Sequence, residues 1–222
     1  MAIQTHRKTF PLSAQEARSL RAGDLVVIDG EIVITAGMPT HERLLGCLDG
    51  KEPLPMSLQG VSLFHLGSFS REVDGQFEVL YLNPTTSTRF NPFMPRLIES
   101  FEWHAVGGKG GLDRHCADPL KRVGGVYLSF LGGGCTLLSQ AIKEVVEVGW
   151  SDMLTHYRLV RLRVEGLGPA TVAIDAHGRS LYDEERQTAR DRLPGILRDL
   201  DAAREQQASE HHPEAEIGNV DE

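Results

Sequence analysis

Cysteine is scarce in this sequence, three in 222 residues. Cys47, Cys116 and Cys135 stand far apart with no CxxC pair, so the spacing describes neither a disulfide framework nor a zinc site. Aromatic residues make up only 6%, and none interleave with a basic run. Acidic residues outnumber basic ones, 31 to 23, for a net charge of −8. That balance argues against a nucleic-acid surface, although one local pocket can still bind an anion against the global sign. No apolar run approaches the ~18 residues of a membrane span. The start, MAIQTHRKTFPLSAQ, has no apolar stretch of signal-peptide length, so the expected location is cytoplasmic. What is present is an ordinary globular balance, 41% hydrophobic and 24% charged, in a length that suits one large domain or a domain with appendages.

Ser13-Ala-Gln-Glu16 is a capping box, and the helix it opens is expected to stop at Gly23. DLVVIDGEIVIT places two β-rich runs around Asp29-Gly30, which predicts a hairpin. A short amphipathic helix follows over roughly Thr40 to Leu48, then strands at SLFHLG and QFEVLYLN. MPRLIESF and residues 117–123 read as short helices. HAVGGKGGL reads as backbone-dominated loop, having too many glycines for a strand interior. VYLSFL is a buried-strand candidate, and GGGCTLLSQAIKEVVEV a glycine turn feeding a helix. HYRLVRLRV and ATVAIDAHG read as two strands. From Ser180 to about Ser209 the pattern is a charged helix, broken or kinked by Pro194, and EHHPEAEIGNVDE reads as a disordered tail. The expected fold class is α/β without regular βαβ alternation.

Two segments carry candidate chemistry. Asn83 to Pro92, NPTTSTRFNP, gathers the hydroxyls of Thr85, Thr86 and Ser87 with the guanidinium of Arg89, fenced by prolines. Either it is a solvated turn capping the next helix, or a loop shaped for an anion, with Arg89 gripping a carboxylate in bidentate fashion. Val106-Gly-Gly-Lys109-Gly-Gly111 is either a flexible turn or a close backbone approach with Lys109 as a point charge. It is neither GxxxxGK[ST] nor GxGxxG. Gly132-Gly-Gly134-Cys135 opens a helix, where Cys135 is either an activated thiol or a small packed residue. His41, His65 and His177 sit at element boundaries, as structural or functional histidines, and Asp175-Ala-His177 is an acid–base pair or a turn.

Taken in order, TTSTR, VGGKGG, the GGGC helix start and VAIDAHG resemble one family, from about residue 12 to 185. They look like the β subunit of L(+)-tartrate dehydratase and, equally, the C-terminal domain or β subunit of class I iron–sulfur fumarate hydratases. The resemblance implies a swivelling β/β/α domain over residues 1–185, with 186–222 a charged helical extension and tail. It implies a hydro-lyase, working as a hetero-oligomer with an α subunit whose 4Fe–4S cluster activates the hydroxyl of a small hydroxy-carboxylic acid. No cluster or metal ligand is then expected on this chain. By the family's pattern Thr85 and Lys109 are catalytic, Thr85 as base, while Thr86, Arg89 and His41 bind substrate. The alternatives are a homologue acting on a bulkier or less charged acid, and a non-catalytic acid-binding or regulatory module.

The sequence departs from the family where an RDxxH-like motif reads Gly37-Met38-Pro39-Thr40-His41. The histidine is kept; an arginine that would clamp a second carboxylate is Gly37, and the aspartate is Met38. GPTT has become NPTT, and HAGP is His65-Leu-Gly-Ser68. The change at Gly37 is expected to open space, with Arg43 the nearest cation that could fill the role.

Overall fold

The computed structural model describes residues 3–210. Nine strands and six helices alternate irregularly: β1 (Thr5–Phe10), α1 (Ala14–Ser19), β2 (Leu25–Ile34), α2 (Met38–Leu48), β3 (Ser62–Phe64), β4 (Leu66–Val73), β5 (Gln76–Pro84), α3 (Met94–Phe101), β6 (Ala105–Gly108), α4 (Arg114–Val123), β7 (Val126–Ser129), α5 (Cys135–Ser139), β8 (Ile142–Gly149), β9 (Leu159–Ile174) and α6 (Leu181–Glu210). Seven strands pair in the order β1-β2-β3-β6-β7-β9-β8, and a β2–β9 ladder makes the pairing return on itself. Strands β2, β3, β6 and β7 run parallel; β9 is antiparallel to β2, β7 and β8. Strands β4 and β5 form a separate antiparallel hairpin.

Alternation along the closed sheet sorts the core into two layers. Ile32, Ile34, Phe64, Ala105, Val126, Leu128 and Val160 belong to one buried cluster, the interior. Their neighbours Val33, Leu63, Val106, Tyr127 and Leu159 belong to a second, packed with α2, α3 and α4 residues such as Leu44, Leu97 and Leu120. Trp103 is fully buried there, its indole N–H donating to Leu58 O. The N-cap of α1 is as expected, with Ser13 and Glu16 reciprocally bonded. The chain divides after Tyr182 into two units. In the second, α6 carries a stripe of half-exposed Leu193, Ile196, Leu197 and Leu200.

Several expectations are corrected. Asp29-Gly30 is not a hairpin: β2 runs straight through it, and the pair marks where β2 exchanges its parallel neighbour β1 for β3. A Cβ at Gly30 would overlap the Phe10 carbonyl, which explains the glycine, while Asp29 holds Arg7. The true hairpin turn is Asp74-Gly75, both residues at positive φ between β4 and β5. Helix α1 ends at Ser19; Gly23 lies in a later turn, its N–H bonded to Val172 O. AVGG is strand β6, not loop, because its glycines make room: a Cβ at Gly107 would stand 2.7 Å from Leu128 O and 3.0 Å from the Phe64 ring. IKEVVEVG is strand β8, not helix; Glu144 and Glu147 meet Arg163 and Arg161 of β9 across the ladder. The two strands expected at 156–164 and 170–178 are the single β9. Helix α6 is continuous through Pro194. The expected tail lies outside the described residues beyond Glu210.

Candidate active site

Functional groups in α/β sheets collect where parallel strands end, because the backbone there leaves the sheet and its side chains converge. Here Gly37 and His41 follow β2, His65 follows β3, Lys109 follows β6 and Gly132 follows β7. The Asn83–Pro92 segment returns from the β4–β5 hairpin and is stitched into the same edge by backbone bonds. Thr85 N–H donates to His65 O (2.9 Å), Lys109 N–H to Thr85 O (3.0 Å) and Ser87 N–H to Lys109 O (2.7 Å). Thr86 and Lys109 form a parallel bridge. The two segments singled out by sequence are therefore one structure.

The side chains follow from that stitching. Ser87–Phe90 is a 3₁₀ turn that projects Arg89 outward, exposed, with an Nη2 N–H donating to Thr85 Oγ1. Lys109 is half-buried, its side chain passing over Gly132, where a Cβ would stand 3.6 Å from Lys109 Cδ. Neither Arg89 nor Lys109 has an acidic partner among the described residues, in a chain with excess acid. Gly110 and Gly111 at positive φ bring the loop against Thr86 and the Tyr182 ring. Two surface concavities of about 440 and 400 Å³ are lined by none of these residues. The cluster is defined by its polar chemistry rather than by a cavity.

His41 and His65 are fully buried. His41 stacks on Phe90 at 4.2 Å between centroids, with Nδ1 on Gly37 O (2.6 Å) and Nε2 facing His65 Nε2 (3.3 Å). His65 Nδ1 meets Ser87 Oγ (2.8 Å), which also meets Tyr127 OH (2.9 Å). Burial lowers His41 to about 4. Burial, His41 and Arg89 hold His65 well below its ordinary value. No carboxylate among the described residues contacts either ring. His41 is linked to the Ser87 turn through His65. Because the unfolded chain protonates His41 near 6.5 and the fold resists to about 4, the fold binds fewer protons in that window. Its contribution should be intact above about pH 7 and fall by about 3 kcal/mol between pH 6.5 and 4. Urea unfolding across that range should show a shallower pH slope for His41→Phe than for wild type; equal slopes would contradict the burial account.

Other candidates resolve differently. A Cβ at Gly37 would overlap Thr40 Oγ1 and stand 2.9 Å from Tyr157 Cδ1, so no space has opened there. Arg43 cannot take over as a site cation: Glu52 (2.9 Å) and Asp152 (3.0 Å) hold its guanidinium, stacked over Trp150. Asp175 and His177 are not an acid–base pair; the carboxylate accepts the N–H groups of Ala22, His177 and Arg179, while the His177 ring meets Arg18 O. Tyr127 and Tyr182 carry no sequence signal for a site role. Cys116 is buried, its thiol pushed above the ordinary range by burial. Among the described residues no group of three or more His, Cys, Asp or Glu side chains could hold a metal.

Fold and site together define an α/β domain with a cationic, hydroxyl-bearing loop pair at the carboxyl ends of its parallel strands. Residues 3–185 match the family described as fumarase C-terminus, and the chain belongs to that family. L(+)-tartrate dehydratase subunit beta of Escherichia coli K12 is 29% identical over 192 residues, 86% of this chain and 94% of that protein. A Methanocaldococcus jannaschii protein provisionally named for the same subunit is 31% identical over 187 residues, 84% and 95% of the two chains. A Geobacillus stearothermophilus protein provisionally named fumarate hydratase class I is 30% identical over 184 residues, 82% of this chain but 34% of that longer protein.

Proposed function

We propose that this chain is the β subunit of a two-component hydro-lyase that reversibly removes water from a small hydroxy-carboxylic acid. The observation that carries this is the backbone-stitched meeting of Thr85, Thr86, Arg89 and Lys109, with neither cation paired to an acid among the described residues. The subunit names of its relatives support the two-component reading. Thr86 and the free edge of Arg89 bind one substrate carboxylate. Thr85 Oγ1 takes the proton from the neighbouring carbon, since the Arg89 hydrogen bond favours the alkoxide a base requires. Lys109 balances the negative charge that then spreads onto the carboxylate. A 4Fe–4S cluster, which we assign to the α subunit, supplies Lewis-acid activation of the departing hydroxyl.

The far end of the substrate faces the Gly37–Met38 turn in this reading, and Arg43 is committed elsewhere. A second carboxylate placed there would lose solvation without Arg43 to pair it, a cost of several kcal/mol (~3). The preferred acid should then carry a neutral or apolar group at that end. Anaerobic co-purification with the product of the neighbouring reading frame, followed by kcat/KM for malate, tartrate and alkyl-substituted hydroxy acids, tests both levels. No turnover of any hydroxy acid would refute the hydro-lyase; preference for unsubstituted malate or tartrate would refute only the specificity. Arg43→Ala should leave the order of preference unchanged.

A further inference from the structure

We propose that Tyr127, Ser87, His65 and His41 form a one-way hydrogen-bond chain that positions the threonine-bearing loop, with the two imidazoles fixed in complementary tautomers. The direction follows from one end. Gly37 O can only accept, so His41 Nδ1 carries the proton on that 2.6 Å bond. The neutral ring then has a bare Nε2, and the 3.3 Å approach of His65 Nε2 is a hydrogen bond only if His65 donates. That leaves His65 Nδ1 bare, to accept from Ser87 O–H at 2.8 Å. With its one proton committed, Ser87 Oγ accepts from Tyr127 O–H at 2.9 Å. A proton added to His41 Nε2 would face the His65 N–H and one added to His65 Nδ1 would face the Ser87 O–H, and among the described residues the charged side chain acting on His65 is the cation Arg89. Phe90 packs against both rings and Phe93 against that of His41.

All four side chains are fully buried, so the chain of bonds has no water to substitute for a missing member. Its middle link is the functional one. Ser87 lies between Thr86 and Arg89, and its own N–H holds Lys109 O. Fixing Ser87 Oγ fixes the turn that carries Arg89 and the bridge that carries Lys109. The loop is thereby tied to β7 by Tyr127, to the end of β3 by His65 and to the first turn of α2 by His41. These are positioning residues, acting on substrate through Ser87. Only the catalytic consequence rests on the hydro-lyase reading.

The tautomers are readable on the 15N-labelled full chain by long-range proton–nitrogen correlation, with no substrate or partner. Expected are a protonated Nδ1 and bare Nε2 for His41, the reverse for His65, and no titration of either between about pH 6 and 8. The Nδ1–H form of His65, or titration of either ring in that window, overturns the proposal. Amide exchange tests the positioning itself. In Tyr127→Phe and His65→Gln, which keep the ring and the Nε2-like donor respectively, exchange at Ser87 and Lys109 should accelerate by about tenfold, while Leu97 and Ile98 of α3 are unchanged. Uniform acceleration would mean global destabilisation and would defeat the assignment of a local role, as would no change. In the reconstituted complex His65→Asn, whose amide oxygen restores the acceptor for Ser87, should retain more kcat than His65→Gln, with KM little altered in either. Equal losses would remove the link to Ser87. A complex inactive as wild type would count against the hydro-lyase reading alone, since tautomers and exchange decide the chain.

Discussion

Thr85→Ala in the reconstituted complex should lower kcat by about 10²–10⁴-fold, the usual worth of a positioned base, while KM moves only a few-fold. The threonine hydroxyl is a poor base by itself. What singles out Thr85 is the Arg89 guanidinium donating to Oγ1, a cation placed to stabilise the oxygen after it has lost its proton. Removing the hydroxyl removes an interaction made mainly in the transition state, so turnover should suffer before affinity. Thr85→Ser keeps the oxygen and should recover much of the loss. Arg89→Ala strips a cation from both Thr85 and the substrate carboxylate, so kcat and KM should both worsen, together by about 2–5 kcal/mol. Steady-state kinetics on the three variants separate these patterns. A Thr85→Ala enzyme within a few-fold of wild type would mean the loop is architectural and the proton leaves by another route.

Gly108→Ala should be strongly disruptive. A Cβ there would overlap Ser87 Oγ and stand 2.9 Å from His65 Cβ and 3.2 Å from Thr85 O, three atoms of the same stitched edge. None is the free end of a flexible side chain, so the accommodation must come from the loop. We expect about 3 kcal/mol of destabilisation and loss of activity beyond what stability explains. Gly46→Ala is the matched control: it sits within α2, its Cβ would meet only Lys51 Cδ at 3.7 Å, and alanine is the better helix former by about 1 kcal/mol. Denaturant midpoints for the pair should move in opposite directions. A Gly108→Ala protein as stable as wild type would show that the edge yields more easily than its contacts imply.

The two loop segments are more legible than the fold around them. Thr85, Thr86, Arg89 and Lys109 could be picked out because hydroxyls, an arginine and a lysine among glycines and prolines have few structural uses. Their meeting is a tertiary fact, made by backbone bonds that composition does not reveal. The errors of element have a common cause, that local signals were outvoted by what lay across the sheet. Gly107 and Gly108 read as loop, yet they are strand because aromatic rings and Ser87 fill the places their side chains would take. Asp29-Gly30 carries the chemistry of a hairpin turn and serves as a crossover between two neighbours. The helical spacing of IKEVVEV was overridden by arginines on β9 that only the pairing brings opposite. His41 stands at an element boundary, where the sequence allows a structural or a functional histidine; nothing in the sequence shows that Phe90 stacks on it.

The β2–β9 ladder has a consequence for how the protein is made. Leu25 pairs with Thr171 and Ile34 with Val160, so a strand near the start of the chain waits for one near the end of the domain. Contacts so distant in sequence slow folding. During synthesis β2 can pair with β1 and β3, but one flank stays open until the ribosome has released β9. Until then the apolar run Val26, Ile28, Ile32, Ile34 has no antiparallel cover and is open to association with other nascent chains. Translation that stalls before Leu159 would leave an aggregation-prone fragment rather than a smaller working domain.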